Sequence, residues 1–143
     1  MFIGEYRNKL DEKGRVAIPV KFRNEFADGG VVTRGLDGSL TLYPKKIWQS
    51  LAERLANLPL GQKEARSFAR LILSGAMEVE LDRQGRIILP QYLREYAGIH
   101  SEVILAGLFD RVEIWSVGEW QKEAKDFTDK ADDLAKNIES LNV

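Results

Sequence analysis

Leu10-Asp11-Glu12-Lys13-Gly14-Arg15-Val16-Ala17-Ile18-Pro19 returns seventy-one positions later as Leu81-Asp82-Arg83-Gln84-Gly85-Arg86-Ile87-Ile88-Leu89-Pro90. At the same offset Gly4 falls on Gly75 and Arg23 on Arg94. One residue is then inserted, after which Gly35-Leu36 aligns with Gly107-Leu108, Leu42-Tyr43 with Ile114-Trp115, and Trp48 with Trp120. Agreement at glycines, a turn, a proline and a tryptophan over more than forty positions marks an internal repeat, which decides the architecture before any single element does. We read two copies of one unit, residues 5–47 and 76–119, joined by a helical linker (48–75) and followed by a helical tail (120–143).

Each copy follows one grammar. Met77, Val79 and Leu81 alternate with Glu78, Glu80 and Asp82, the period of two of a half-buried strand. In the first copy Arg7, Lys9 and Asp11 alternate with Tyr6, Asn8 and Leu10. A turn follows in which Asp11 or Asp82 is placed to close an Asx-turn and Gly14 or Gly85 tolerates a positive φ. The chain returns through Val16 and Ile18, or Ile87 and Leu89, to a proline suited to the first position of a short helix. Phe22 and Phe26, four residues apart, share one face of that helix, as do Leu93 and Ala97. A second hairpin, Val31–Leu36 and Ser39–Tyr43, turns at Asp37-Gly38, a strong type I′ signal. Its counterpart is Val103–Leu108 with Val112–Trp115. Four short strands and one helical turn are too few to bury a good core alone, so the copies are expected to complete one barrel together.

Helices are expected around this core. Ile47, Leu51, Leu55 and Leu58 form a stripe within 44–58, and 63–73 follows Pro59 and Gly61 as a second helix. The tail places apolar residues at 120, 124, 127, 131, 134, 138 and 141, a 4-3 alternation that fits a helix packed on its own barrel or on a neighbouring subunit. The expected fold class is α+β, mainly β with peripheral helices, and Trp48 and Trp120 are expected in the barrel core, with a subunit interface as the alternative place for them and for the tail stripe.

Composition removes several functions. The chain of 143 residues has no Cys and one His, His100, which rules out disulfides, thiol nucleophiles, thiolate metal sites and a His-rich metal centre. Glycine-rich phosphate loops, nucleophile elbows and HExxH are all missing, so no catalytic residue, cofactor or small-molecule substrate is expected. No apolar run approaches the ~18 residues of a membrane span, and the opening MFIGEYRNKLDEKGR lacks the apolar core of a secretory signal. A soluble, cytoplasmic protein is expected.

The duplicated Asp-x-x-Gly-Arg can be read in two ways. An arginine leaving a tight turn projects a guanidinium suited to bidentate contact with guanine or phosphate, and a two-stranded ribbon fits the DNA major groove. The same spacing lets Asp11 pair with Arg15 and Asp82 with Arg86, pinning the turns. Duplication alone does not choose between these readings. The charges around the turns add information. The whole chain is nearly neutral, with 21 Lys and Arg against 22 Asp and Glu. Yet residues 7–23 hold Arg7, Lys9, Lys13, Arg15, Lys21 and Arg23 against only Asp11 and Glu12, whereas 78–94 balance Arg83, Arg86 and Arg94 against Glu78, Glu80 and Asp82. At matched strand positions Arg7 and Lys9 become Glu78 and Glu80. The basic first copy, with Arg83 and Arg86 from the second, is the candidate DNA surface. Asp11, Gly14, Asp82 and Gly85 are its turn-forming residues.

The opening segment, the two DxxGR turns with their following prolines, the Trp48/Trp120 pair and the length resemble the MraZ family across nearly the whole chain. The resemblance implies tandem SpoVT–AbrB repeats that swap hairpins to form one pseudo-twofold barrel, with subunits assembled into a homo-oligomeric ring. It also implies a nucleoid-associated transcriptional regulator that binds short direct repeats of double-stranded DNA upstream of its own division and cell-wall gene cluster, usually as a repressor. The family's DxxxR element falls on Asp11 to Arg15 and on Asp82 to Arg86. The acidic residues around the second copy point to unequal roles for the halves. The competing reading is an interaction module of the same fold, antitoxin-like, that captures a protein partner through its tail.

Overall fold

The computed structural model describes residues 1–142. The chain forms β1 (Glu5–Lys9), β2 (Arg15–Ala17), a 3-10 helix (Val20–Phe26), β3 (Gly30–Arg34), β4 (Leu40–Pro44), α1 (Lys45–Ala56) and α2 (Lys63–Leu73). It then repeats as β5 (Met77–Val79), β6 (Arg86–Ile88), α3 (Gln91–Tyr96), β7 (Glu102–Gly107), β8 (Val112–Ser116) and α4 (Val117–Asp129), ending in α5 (Ala131–Asn137) and a 3-10 turn (Glu139–Leu141). Residue 143, the last of the expected tail, lies outside the described residues.

Six strands form an antiparallel sheet in the order β1-β7-β8-β4-β3-β5, and β2 and β6 form a separate two-stranded ribbon. The repeats exchange strands: β1 of the first copy pairs with β7 of the second, and β5 of the second pairs with β3 of the first. Two pairings lie on the pseudo-twofold axis. In one, Thr41 faces Glu113, with Leu40 on Ile114 and Leu42 on Val112; in the other, Val16 faces Ile87, with Arg15 on Ile88 and Ala17 on Arg86. The expected α+β architecture of two repeats is therefore present. The sheet stays open, with β1 and β5 as its edges, and the ribbon lies across it, tied to β1 by a bridge from Leu10 to Val16. A single closed barrel is replaced by this sheet and ribbon because strands of three to six residues are too short to pair continuously round a circumference.

The core fills the space between ribbon and sheet. Val16, Ile18, Ile87 and Leu89 from the ribbon side meet Leu40, Leu42, Leu105 and Ile114 from the sheet, all at most 1% exposed. The expected pairs Phe22/Phe26 and Leu93/Ala97 are buried here. Phe2 is also fully buried, stacked on Phe26 (5.2 Å between ring centroids) and edge-on to Phe22 (5.1 Å). Pro19 and Pro90 stand one residue earlier than expected, as caps: their extended ψ (137° and 154°) ends the strand, and their carbonyls accept from Phe22 N–H and Leu93 N–H. Asp37 and Gly38 both have positive φ, as the type I′ turn requires.

The outer face of the sheet has its own cover. Helices α1 and α2 pack over β3 and β4, where the Thr33 hydroxyl donates to the Ile72 carbonyl at 2.5 Å. Helix α4 packs over β7 and β8. Trp48 and Trp120 lie in this outer layer, half-buried, Trp48 against Tyr43 and Trp120 against the buried Trp115; the barrel-core expectation for them is corrected. The residue at the core-side position of β8 is Ile114, so an aromatic one place later necessarily faces outward. The tail stripe does not continue as one helix. It breaks at Lys130, and every residue from 125 to 142 is exposed, Phe127, Leu134, Ile138 and Leu141 included.

Candidate nucleic-acid interface

The two turns are built alike. Asp11 Oδ1 accepts from the backbone N–H of Lys13 and of Arg15, both at 2.9 Å, and Gly14 N–H donates to the Asp11 carbonyl. Asp82 Oδ1 accepts from Gln84 N–H and Arg86 N–H, again at 2.9 Å, and Gly85 N–H donates to the Asp82 carbonyl. Gly14 and Gly85 take φ of +78° and +74°, which explains why glycine stands in each turn. These donors favour the ionised carboxylate. Backbone N–H of Arg15 first, then its guanidinium and Lys13 N–H, hold Asp11 below its ordinary pKa. Arg86 and Gln84 do the same to Asp82.

The expected ion pairs form as well. Arg15 Nε donates to Asp11 Oδ2 at 2.6 Å and Arg86 Nε to Asp82 Oδ2 at 2.9 Å. These pairs and a DNA-reading role are not exclusive. A guanidinium has five donors in a fixed fork, and a carboxylate engaged at Nε leaves the Nη1–Nη2 edge for a second acceptor. Across the ribbon, Arg86 Nη1 also approaches Asp11 Oδ2 at 3.7 Å, so Asp11 serves arginines of both repeats.

Alternation within the ribbon sends Val16 and Ile87 into the core and Arg15, Ala17, Arg86 and Ile88 outward. Leu89 N–H donates to the Gly14 carbonyl and Ile18 N–H to the Gly85 carbonyl, each at 2.8 Å, so the turns sit at opposite ends of the ribbon. Lys13 and Arg83 are exposed in those turns. The other basic residues are placed differently. Arg7 on β1 donates to Glu102 Oε2 at 2.6 Å, which holds Glu102 below its ordinary pKa, and exposed Lys9 sits opposite Glu102 in the strand register. Lys21 is exposed on the 3-10 helix. Arg23 donates through Nε to the Ile18 carbonyl at 2.8 Å, and its guanidinium covers Gly85, where an added Cβ would come within 2.4 Å of Cζ.

Arg94 does the same in the other half, donating to the Leu89 carbonyl at 2.9 Å and packing on Gly14. Each short helix thus bolts its own strand end to the turn of the other repeat. The Arg23/Arg94 correspondence was visible in the repeat, but this role depends on strand exchange, which spacing does not reveal. Beside the second turn an open groove of about 740 Å³ sets Arg23, Lys45 and Arg83 among Asp28, Glu80 and Asp82. The second turn therefore sits among mixed charge, to which Arg23 and Lys45 of the basic first copy contribute. Among the described residues no group of three metal-ligating side chains occurs, and no helix is long and apolar enough to cross a membrane.

Strand-exchanged tandem repeats, each ending a hairpin in a carboxylate-clamped arginine, define a class of small proteins built on a shared β-ribbon. The family described as "MraZ protein, putative antitoxin-like" matches residues 1–71 and again 72–138. The chain is 46% identical over all 143 residues to the transcriptional regulator MraZ of Herpetosiphon aurantiacus, covering 100% of both chains, and equally so to that of Syntrophomonas wolfei. It is 46% identical over 138 residues, 96% of each chain, to that of Leuconostoc citreum. The chain belongs to the MraZ family. Its relatives are named as transcriptional regulators, a regulatory and not a catalytic function.

Proposed function

We propose that this protein is a sequence-specific, double-stranded-DNA-binding transcriptional regulator that acts on its own division and cell-wall gene cluster, most often as a repressor. The ribbon carries the reading: Arg15 and Arg86 lie on one outward face, each oriented through Nε by an aspartate, with the Nη edge of Arg15 open to guanine or phosphate and that of Arg86 lying beside Asp11. Lys9 and Lys13 supply phosphate contacts beside Arg15, Arg83 does so beside Arg86, Lys21 adds charge from the short helix whose Arg23 reaches the second turn, and Arg7 and Arg23 contribute while held by Glu102 and Ile18. The basic first repeat carries the larger share.

One ribbon binds weakly, so assembly matters. A homo-oligomeric ring would present copies to short direct repeats about one helical turn apart, and each later contact would form at high effective concentration. The uncovered Phe127, Leu134, Ile138 and Leu141 supply apolar surface for that assembly. Near-neutral total charge restrains indiscriminate binding and leaves affinity to the placed arginines. The site of action is the nucleoid, in the cytoplasm.

The deciding experiment is a footprint on the DNA upstream of the protein's own gene. Protection of short, regularly spaced direct repeats is expected at moderate salt; a uniform or absent footprint overturns the proposal. The same uncovered tail favours a second reading, capture of a protein partner. A small toxin co-purifying with a protein that shifts no operator DNA would establish it.

A further inference from the structure

Ile88 is 55% exposed at the last position of β6, on the outward face it shares with Arg15, Ala17 and Arg86. Burial of its neighbour Ile87 explains an apolar residue at 87 but not at 88, where alternation calls for a polar side chain. Strand register sets Ile88 directly opposite Arg15, and Ala17 directly opposite Arg86. Each outward arginine is thus faced across the ribbon by an alkyl group, large in one case and a single methyl in the other.

Opposed residues in an antiparallel pair lie about 4.5–5.5 Å apart, close to one base step of about 3.4 Å along a strand once side chains converge. On the major-groove edges of the bases the thymine 5-methyl is the apolar group, and guanine O6/N7 is the bidentate acceptor for arginine. Resting on the DNA-binding reading above, we propose that Ile88 is a specificity-determining residue that packs on the 5-methyl group of a thymine next to the base contacted by Arg15. Ala17 offers the same contact beside Arg86 at shorter reach. The two ends of the ribbon therefore select thymine unequally, the Ile88 end more strongly.

The test uses the full-length protein and two duplexes of the DNA upstream of its own gene, one natural and one with every thymine of the protected repeats replaced by uracil, which deletes only the methyl. The wild-type protein is expected to bind the uracil duplex about fourfold more weakly for each contacted methyl, the loss expected for one buried carbon. Ile88→Ala, which removes an exposed side chain and keeps the thermal midpoint, should bring the thymine-to-uracil ratio towards one; Ala17→Gly should change it less. Equal wild-type binding to both duplexes, or undiminished discrimination by Ile88→Ala, overturns the inference while leaving DNA binding intact. No binding to either duplex overturns both. If Ile88→Ala instead lowers the assembled size in solution with the ratio unchanged, Ile88 is a contact between copies and the inference also fails.

Discussion

The guanidinium of Arg86 stands 3.7 Å from the carboxylate of Asp11, and no matching approach of Arg15 to Asp82 occurs among the described residues. Asp11 therefore faces both outward arginines while Asp82 holds only Arg86, and the pseudo-twofold symmetry of the backbone is broken at the surface. Asp11→Ala removes the acceptor of Lys13 N–H, Arg15 N–H and Arg15 Nε and also takes a neighbour from Arg86, whereas Asp82→Ala affects only its own turn. Asp11→Ala is expected to lower the thermal midpoint more than Asp82→Ala. The opposite order in calorimetry would refute the shared role of Asp11.

Acid should weaken the fold through the same groups. Asp11, Asp82 and Glu102 titrate below their ordinary values because Arg15, Arg86 and Arg7 hydrogen-bond their ionised forms. The unfolded chain then binds more protons than the folded one in acid, so stability rises with pH. Their contribution is complete above the ordinary carboxylate range near pH 4 and disappears as pH falls through the lower folded values. Urea midpoints measured from pH 7 to pH 3 should show this decline, and Asp11→Asn with Asp82→Asn should flatten it.

Gly85→Ala sets two costs apart. Its φ of +74° imposes about 1–2 kcal/mol on any L side chain, and the new Cβ would lie 2.3 Å from Arg23 Nε, forcing that bolt aside. Gly38 has a similar φ of +78° with open space around it. Gly38→Ala should cost only the backbone share, and Gly85→Ala more. Equal losses in equilibrium unfolding would mean that Arg23 yields freely.

Phe2→Ala should be among the most damaging single changes, at about 3–5 kcal/mol, because the ring is fully buried between Phe22 and Phe26. Urea unfolding of the variant measures the loss directly. A change below about 1 kcal/mol would place this ring outside the cooperative core.

On operator DNA, Arg15→Ala should abolish specific binding in a folded protein, one bidentate contact being worth about 1–3 kcal/mol per subunit before assembly multiplies it. Arg86→Ala should cost less, in keeping with the mixed charge around the second turn. Lys9→Ala should reduce the salt slope of binding by about one with sequence preference kept. Titrations at several salt concentrations separate these outcomes.

Much of this molecule is legible in local chemistry. Asp37-Gly38 announces its hairpin, the Asp-x-x-Gly-Arg turns announce theirs, and Ile47, Leu51 and Leu55 of the expected stripe lie on a real helix, with Leu55 buried, while Leu58 falls past its end at Ala56. Long-range pairing is not legible in the same way. Nothing local to Arg7 points to Glu102, and nothing local to Arg23 points to Gly85, because both depend on strands crossing between repeats. Trp120 lies outside the expected core for a related reason: its apolar partner is Trp115 on the outer face of the sheet, and hydrophobicity alone does not say which layer a side chain joins. Phe2 gives no signal in the sequence, because a single apolar residue ahead of the first strand carries no periodicity.

Strand exchange also governs how the protein can be made. Arg7 waits for Glu102, ninety-five positions downstream, so at about 5–20 residues per second the ribosome holds the first repeat incomplete for about 5–20 s. During that interval β1 and β3 have no partners at the edges that β7 and β5 will occupy, and open strand edges invite pairing with other chains. Synthesis interrupted before residue 77 leaves the first repeat without β5, β6 or β7, and so without the strands that complete its ribbon and its sheet edges. A chain that stops within the second repeat therefore carries open strand edges in place of a finished sheet, a liability for pairing with other chains rather than a working half.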